Sequence, residues 1–230
     1  MKITVNHKPA YALAVVDLEE GETVVAEGGA MVSKDSHVGM QTSAGKKGQG
    51  ALGGLLKGLK RMVAGESFFQ NRFTPEGAPG HVTFAPTLVG DIAVHEMTGG
   101  SLFLQSTAFL CSAEGVEVDA KWGGAKTFFG GEGLIMLKAT GAGPIAFNSF
   151  GAIREVDVDG SFVVDTGHIV AFEESLTFKV RRFGGGWKSF FLSGEGLVCN
   201  FSGTGRLWIQ TRNPAEFGRA VGPLLPPREH

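Results

Sequence analysis

Three glutamates stand in one repeated context. Gly65-Glu66-Ser67-Phe68-Phe69, Gly131-Glu132-Gly133-Leu134-Ile135 and Gly194-Glu195-Gly196-Leu197-Val198 each open an apolar run, and the glutamates are 66 and 63 residues apart. Carboxylates converging from three such places could hold a hard cation through oxygen, or crowd one another until one works as a general base near neutral pH. The same spelling has a plainer use. Its glycines let the chain turn or bulge as it enters a strand, and the glutamate then accepts local backbone N–H groups. A catalytic site rarely needs the same residue at every copy of a repeat, whereas folding does. The turn reading is therefore preferred, and no catalytic residue is assigned.

The other reactive side chains ask for no special chemistry. His7, His37, His81, His95, His168 and His230 show no HxH or HExxH spacing, so no metal centre is expected. His168 follows Asp165 by three residues beside Gly167, a setting in which Asp165 could orient it but which more often makes a satisfied turn residue. Cys111 and Cys199 lie too far apart in sequence for a CxxC pattern, and Cys199 sits in an apolar run, which predicts an inert core thiol. There is no GxSxG elbow and no Walker A motif. Gly184-Gly185-Gly186 lacks the strand, turn and helix that a phosphate cradle requires. No cofactor is implied, and nothing in the sequence demands an enzyme.

The elements that would position the glutamates repeat as well. Each Gly-Glu run is followed by a glycine-marked turn and a second run: Gly80-His81-Val82-Thr83-Phe84, Gly143-Pro144-Ile145-Ala146-Phe147 and Gly205-Arg206-Leu207-Trp208-Ile209. Each is preceded by two more, such as Ser101–Leu104 with Phe109-Leu110, and Ser161–Val164 with Ile169-Val170. Short Val, Ile and Phe runs bounded by Gly, Asp, Asn and Ser read as strands and turns. Val116–Trp122 and Thr177–Phe183 alternate with period two, as half-buried antiparallel strands do. The fold class predicted is mainly β: three fused sandwich-like repeats at about 20–97, 98–158 and 159–217, forming one domain over residues 1–230. Units of roughly 60 residues bury too little surface to be comfortable alone, and no Pro/Ser-rich linker divides them. Glycine, at 36 of 230 residues, fits a chain of many tight turns.

Repeat one carries an insertion that its siblings lack. Leu52, Leu55, Leu56, Leu59, Met62 and Val63 fall at helical spacing and predict one short amphipathic helix over residues 50–63, with Lys57, Lys60 and Arg61 on its flank and back. Its interior glycines make it marginal without a docking surface. From Ser36 through Gly65 there is no acidic residue, while Lys46, Lys47, Lys57, Lys60 and Arg61 supply five cations. Such a helix suits an anionic membrane surface. It equally suits a lid, with the leucines on the protein's own core and the cations in water. A second short helix is predicted after Asn213-Pro214, with Asn213 as cap.

Several segments resemble a known family: Ala26-Glu27-Gly28-Gly29-Ala30-Met31-Val32-Ser33, the stretch from Leu55-Leu56 through Gly65-Glu66-Ser67-Phe68-Phe69, Phe128-Phe129-Gly130-Gly131-Glu132-Gly133, Gly151-Ala152-Ile153-Arg154-Glu155, Val164–Phe172 and Trp208-Ile209-Gln210-Thr211-Arg212. The likeness runs from about Val15 to Phe217. It is to a widespread prokaryotic family whose eukaryotic members are the altered-inheritance-of-mitochondria proteins of mitochondrial biogenesis. The resemblance implies a fold like that of the trp RNA-binding attenuation protein, close to a double-stranded β-helix. Of function it implies little: the prokaryotic members are largely uncharacterised, the mitochondrial ones are associated with inner-membrane organisation, and no catalytic residues carry over.

Composition narrows the partners. A net charge of −2 makes no global case for nucleic acid. Of 22 aromatics 18 are phenylalanines, mostly within apolar runs, which is a core pattern and not a stacking platform. RNA is accordingly not an expected partner, although Lys179, Arg181, Arg182, Trp187 and Lys188 form one cluster that could serve. The start lacks a signal-peptide h-region, and no stretch approaches the ~20 apolar residues of a membrane span. The sequence thus predicts a cytoplasmic, non-enzymatic scaffold or binding module that touches an anionic membrane or assembles with itself. The alternatives are an RNA- or small-ligand-binding module and, third, an enzyme using the repeated glutamates.

Overall fold

Alternation of apolar and polar residues sets most of the strands directly. Leu13–Leu18 buries Ala14, Val16 and Leu18 and leaves the residues between them half-buried, as a strand with one face on a core must. The computed structural model describes residues 1–43, 70–119, 136–182 and 197–226. Within these the chain is mainly β. The strands are β1 (Lys2–Asn6), β2 (Leu13–Leu18), β3 (Val24–Glu27), β4 (Met31–Lys34), β5 (Val38–Ser43), β6 (Gln70–Pro75), β7 (Gly80–Phe84), β8 (Ile92–Gln105), β9 (Phe109–Ala113), β10 (Val116–Asp119), β11 (Met136–Asn148), β12 (Ile153–Asp165), β13 (Ile169–Glu173), β14 (Thr177–Arg182) and β15 (Leu197–Gln210). The strands predicted at Val116 and Thr177 are β10 and β14.

Long strands pair with long strands. β8 lies antiparallel to β11, whose other side takes β10 against its first half and β9 against its second. β15 is flanked in the same way, by β12 on one side and by β14 and then β13 on the other. Toward the N-terminus the corresponding ladders are shorter: β3 pairs β6 and β2 pairs β7, with β5 against β6 and β4 against β7. Lateral pairs β3 to β9 and β8 to β13 join these groups into an eleven-stranded sheet, beside a four-stranded sheet ordered β1-β2-β7-β4. At the bend of β11, Gly141 has φ +112° and a Cβ there would stand 2.1 Å from the carbonyl oxygen of Gly115. Only glycine fits this place, where the β8 register also shifts.

The cores follow the ladders. Val16, Leu18, Phe73, Phe84 and Leu110 pack in one cluster, Leu104, Phe109, Ile145, Phe147 and Trp208 in a second, and Ile169, Phe172, Cys199, Phe201 and Leu207 in a third. Aromatic rings meet edge to face in each, for example Phe73 with Phe84, Phe147 with Trp208 and Phe172 with Phe201.

After β15 the chain forms α1 (Pro214–Val221), the helix that Asn213-Pro214 predicts. The Asn213 side chain accepts from the Ala215 N–H at 2.9 Å, Pro214 occupies the first turn, and Glu216 and Arg219 sit at the ends that suit their charges. None of its residues is buried; Phe217 rests edge-on against Phe150 at 5.2 Å. No helix among the described residues is long and apolar enough to cross a membrane.

Candidate functional site

A cleft with polar strand-end residues on a largely apolar wall opens where four strands stop. Glu27 ends β3, Gln105 ends β8, Asn148 ends β11 and Gln210 ends β15, and all four line a cleft of about 290 Å³ with Leu88, Phe150 and Pro214. The location has a physical basis. Where a ladder ends its side chains no longer need to fill an apolar interior, and departing loops leave room for polar groups. The segment after β7, the turns that follow β8 and β11, and Pro214 at the start of the C-terminal helix supply the remaining wall.

Some of these groups are already engaged. Gln210 accepts from the Phe150 N–H through Oε1 and donates from Nε2 to the Gly167 carbonyl, both at 2.9 Å, so it clamps two neighbouring turns. Ser149 donates its hydroxyl to the Gly151 carbonyl at 2.6 Å. Two groups are not. Asn148 donates from Nδ2 to the Thr107 carbonyl at 3.2 Å, and its Oδ1, closed to solvent, has no hydrogen-bond partner among the described residues. Glu27 is half-buried, forms no side-chain hydrogen bond or ion pair among the described residues, and burial pushes its carboxyl up to about 7. Among the described residues the cleft lining contains no lysine, arginine or histidine, so none of them offers the Glu27 carboxyl a counter-charge.

A second polar group lies on the face of β15 and is fully committed. Arg206 donates from its backbone N–H and from Nε to the two oxygens of Glu173, each at 2.9 Å. Trp208 donates from Nε1 to Glu155 at 2.9 Å. His95 meets the Trp208 ring edge-on at 5.3 Å; burial and then the Arg206 charge hold its pKa below the usual histidine value. With both carboxylates engaged by donors, this network ties β12, β13 and β15 together and leaves no free acid–base pair.

The sequence-selected residues fall unevenly. Glu66, Glu132 and Glu195, together with Lys46, Lys47, Leu52, Leu55, Leu56, Lys57, Leu59, Lys60 and Arg61, lie outside the described residues, as does the helix predicted over 50–63. His168 is a turn residue: its Nδ1 donates to the Gln210 carbonyl at 2.7 Å, while Asp165 accepts from the Gly167 N–H and does not orient the ring. Cys111 and Cys199 are buried free thiols, both pushed up to about 12 by burial. No group of three or more His, Cys, Asp or Glu among the described residues could hold a metal ion. Sequence reasoning missed the cleft. Glu27 was visible only as part of a family-like string, and the available signal was a polar residue closing each of several apolar runs.

Known proteins place the chain. The family described as Mitochondrial biogenesis AIM24 matches residues 3–212. An uncharacterised protein of Streptococcus pyogenes serotype M6 is 31% identical over 230 residues, which is 98% of this chain and 92% of that protein. The X-ray crystal structure of a Streptococcus pyogenes protein, a Northeast Structural Genomics Consortium target, superposes with a TM-score of 0.79 at 28% identity, covering 97% of this chain and 99% of the other. By a match that runs almost from end to end, the chain belongs to the mitochondrial biogenesis AIM24 family.

Proposed function

We propose that this protein is a non-enzymatic binding module that presents the strand-end cleft to a small polar ligand. The observation that carries this reading is the Glu27 carboxyl, half-buried at the wall of the cleft with no side-chain hydrogen bond or ion pair among the described residues. A desolvated carboxyl without a partner is uncommon, and a bound ligand's donor would complement it. The cysteines are too deeply buried and too basic to act as nucleophiles, and His95 and His168 are held in structural contacts. The scaffold, in this proposal, is three fused copies of one unit of the attenuation-protein type. The recurrence of the β8–β11 flanking pattern around β15 supports it.

Amide chemical-shift mapping with a panel of small polar compounds tests the proposal. Perturbations confined to Leu88, Thr107, Ala108, Asn148 and Phe150 are expected, and a panel that moves none of them refutes it.

A second reading, attachment to an anionic membrane surface, is supported by the acid-free run of five cations interleaved with leucines between Lys46 and Arg61. The two readings are compatible, since they concern different residues.

A further inference from the structure

We infer that this protein assembles head to tail with copies of itself, the outer edge of β4 in one chain pairing the outer edge of β12 in the next. The inference rests on the repeated-unit scaffold proposed above and is independent of the cleft. Its basis is a junction that the chain makes twice internally and leaves unmade a third time. β9 lies between β11 and β3, and β13 lies between β15 and β8, so each of these short strands joins its own ladder to the ladder before it. β4 shares their local geometry. Its pairing to β7 runs from Met31 to Ser33 and skips Val32, just as β9 skips Leu110 against β11 and β13 skips Val170 against β15. Yet among the described residues β4 pairs only β7 and ends the four-stranded sheet, while β12 pairs only β15 and ends the eleven-stranded one.

Burial follows the junctions. Where one is made its apolar side chains are covered: Leu110 and Val170 are fully buried, Val25 of β3 is 5 % exposed, and the Phe103 and Phe172 rings meet at 5.1 Å across β8 and β13. At the two open edges the corresponding side chains face water. Val32 is 57 % exposed on β4, and Val163, two residues from the end of β12 as Val25 and Phe103 are from the ends of β3 and β8, is 56 % exposed. The internal junctions also give the register. They set Val25 opposite Ser112 and Phe103 opposite Phe172, which places Val163 opposite Lys34 of the next copy. An edge strand offers unpaired N–H and C=O groups as a template for another strand, so main-chain pairing would join the copies while the two valines lose their water. Because the contact unites two different edges, it leaves one live edge at each end and builds a ring or an open chain, according to the angle between copies.

Multi-angle light scattering of the full chain over a range of concentrations, alongside Val32→Asp and Val163→Asp, tests this. Each variant puts a carboxylate where the junction would bury it, and at a position that is exposed in the single chain, so the fold is kept; far-UV circular dichroism checks that it is. The parent is expected at a whole-number multiple of the chain mass, and each variant alone at the mass of one chain. An equal mixture of the two should give a one-to-one pair, since each variant keeps the edge that the other has lost. Misfolded chains could not complement each other in this way. A parent that stays single at every concentration would overturn the assembly and leave the repeated unit standing, because its two made junctions lie inside one chain. Loss of assembly in only one variant would show an edge meeting its own copy, and would overturn both the head-to-tail order and the likeness of β4 to β9 and β13. Assembly unchanged in both variants, or two single variants that fail to pair on mixing, would place the contact elsewhere and overturn the proposal.

Discussion

Gly90 lies so close to Ser149 that a Cβ on it would stand 1.8 Å from the Ser149 carbonyl oxygen. Two segments of the chain form a short parallel bridge here and hold each other: Asp91 N–H donates to the Gly151 carbonyl, Gly151 N–H to the Val89 carbonyl, and Ser149 N–H to the Asp91 carbonyl, at 3.0, 3.0 and 3.1 Å. Because the obstacle is main chain in a bonded bridge, it cannot swing aside as a side chain could. Gly90→Ala should therefore cost about 3 kcal/mol, the upper end of overpacking penalties. Urea unfolding would measure it, and a midpoint within error of the parent's would show that the bridge yields more easily than its bonds suggest.

Glu27 gives stability a pH dependence of unusual sign for a carboxylate. In the unfolded chain it ionises near about pH 4.3, whereas burial raises it to about 7 in the fold. Between those values the folded state binds the extra proton, so this group's contribution to stability is greatest below the unfolded pKa and falls as pH rises to 7. Glu27→Gln removes that titration. The variant's melting temperature should gain on the parent's progressively from acid to neutral pH and hold its lead above pH 7. Parallel melting curves across that window would mean that the carboxyl is not desolvated.

Asn213 caps a helix that buries none of its own residues. Loss of an asparagine cap costs about 1 kcal/mol, but a helix held mainly by Phe217 on Phe150 should express that loss locally. In Asn213→Ala the amides of α1 should exchange several-fold faster with solvent while those of β15 keep their protection. Equal acceleration in both elements would show instead that the helix unfolds only with the sheet.

The ladders were legible because their signals are local. Alternation marked β10 and β14, and Asn213-Pro214 marked α1 down to its cap. The cleft was not legible, and the reason is physical. Glu27, Gln105, Asn148 and Gln210 come together only because β3, β8, β11 and β15 end at one place, a fact of register between strands distant in sequence. Nothing near Asn148 in the sequence says that its Oδ1 lacks a donor, since the partner of its amide, Thr107, is 41 residues away. The repeated glutamates had the opposite fate. Their pattern was conspicuous, but Glu66, Glu132 and Glu195 lie outside the described residues, so their turn role stays an expectation.

The basic segment between Lys46 and Arg61 makes a prediction about surfaces. Five cations without an acid between Ser36 and Gly65 would attract anionic lipid over roughly a Debye length, about 10 Å at moderate salt, and the leucines at helical spacing would then bury in the interface. Each step has its own dependence: attraction weakens with salt, and burial needs the apolar stripe. Co-sedimentation with vesicles containing phosphatidylserine is expected at low ionic strength. It should fall as salt is added, be absent with purely zwitterionic vesicles, and be lost when Lys57, Lys60 and Arg61 are all changed to Gln. A chain that ignores acidic vesicles at low salt would leave the leucines to cover the protein's own β core, as a lid with its lysines in water.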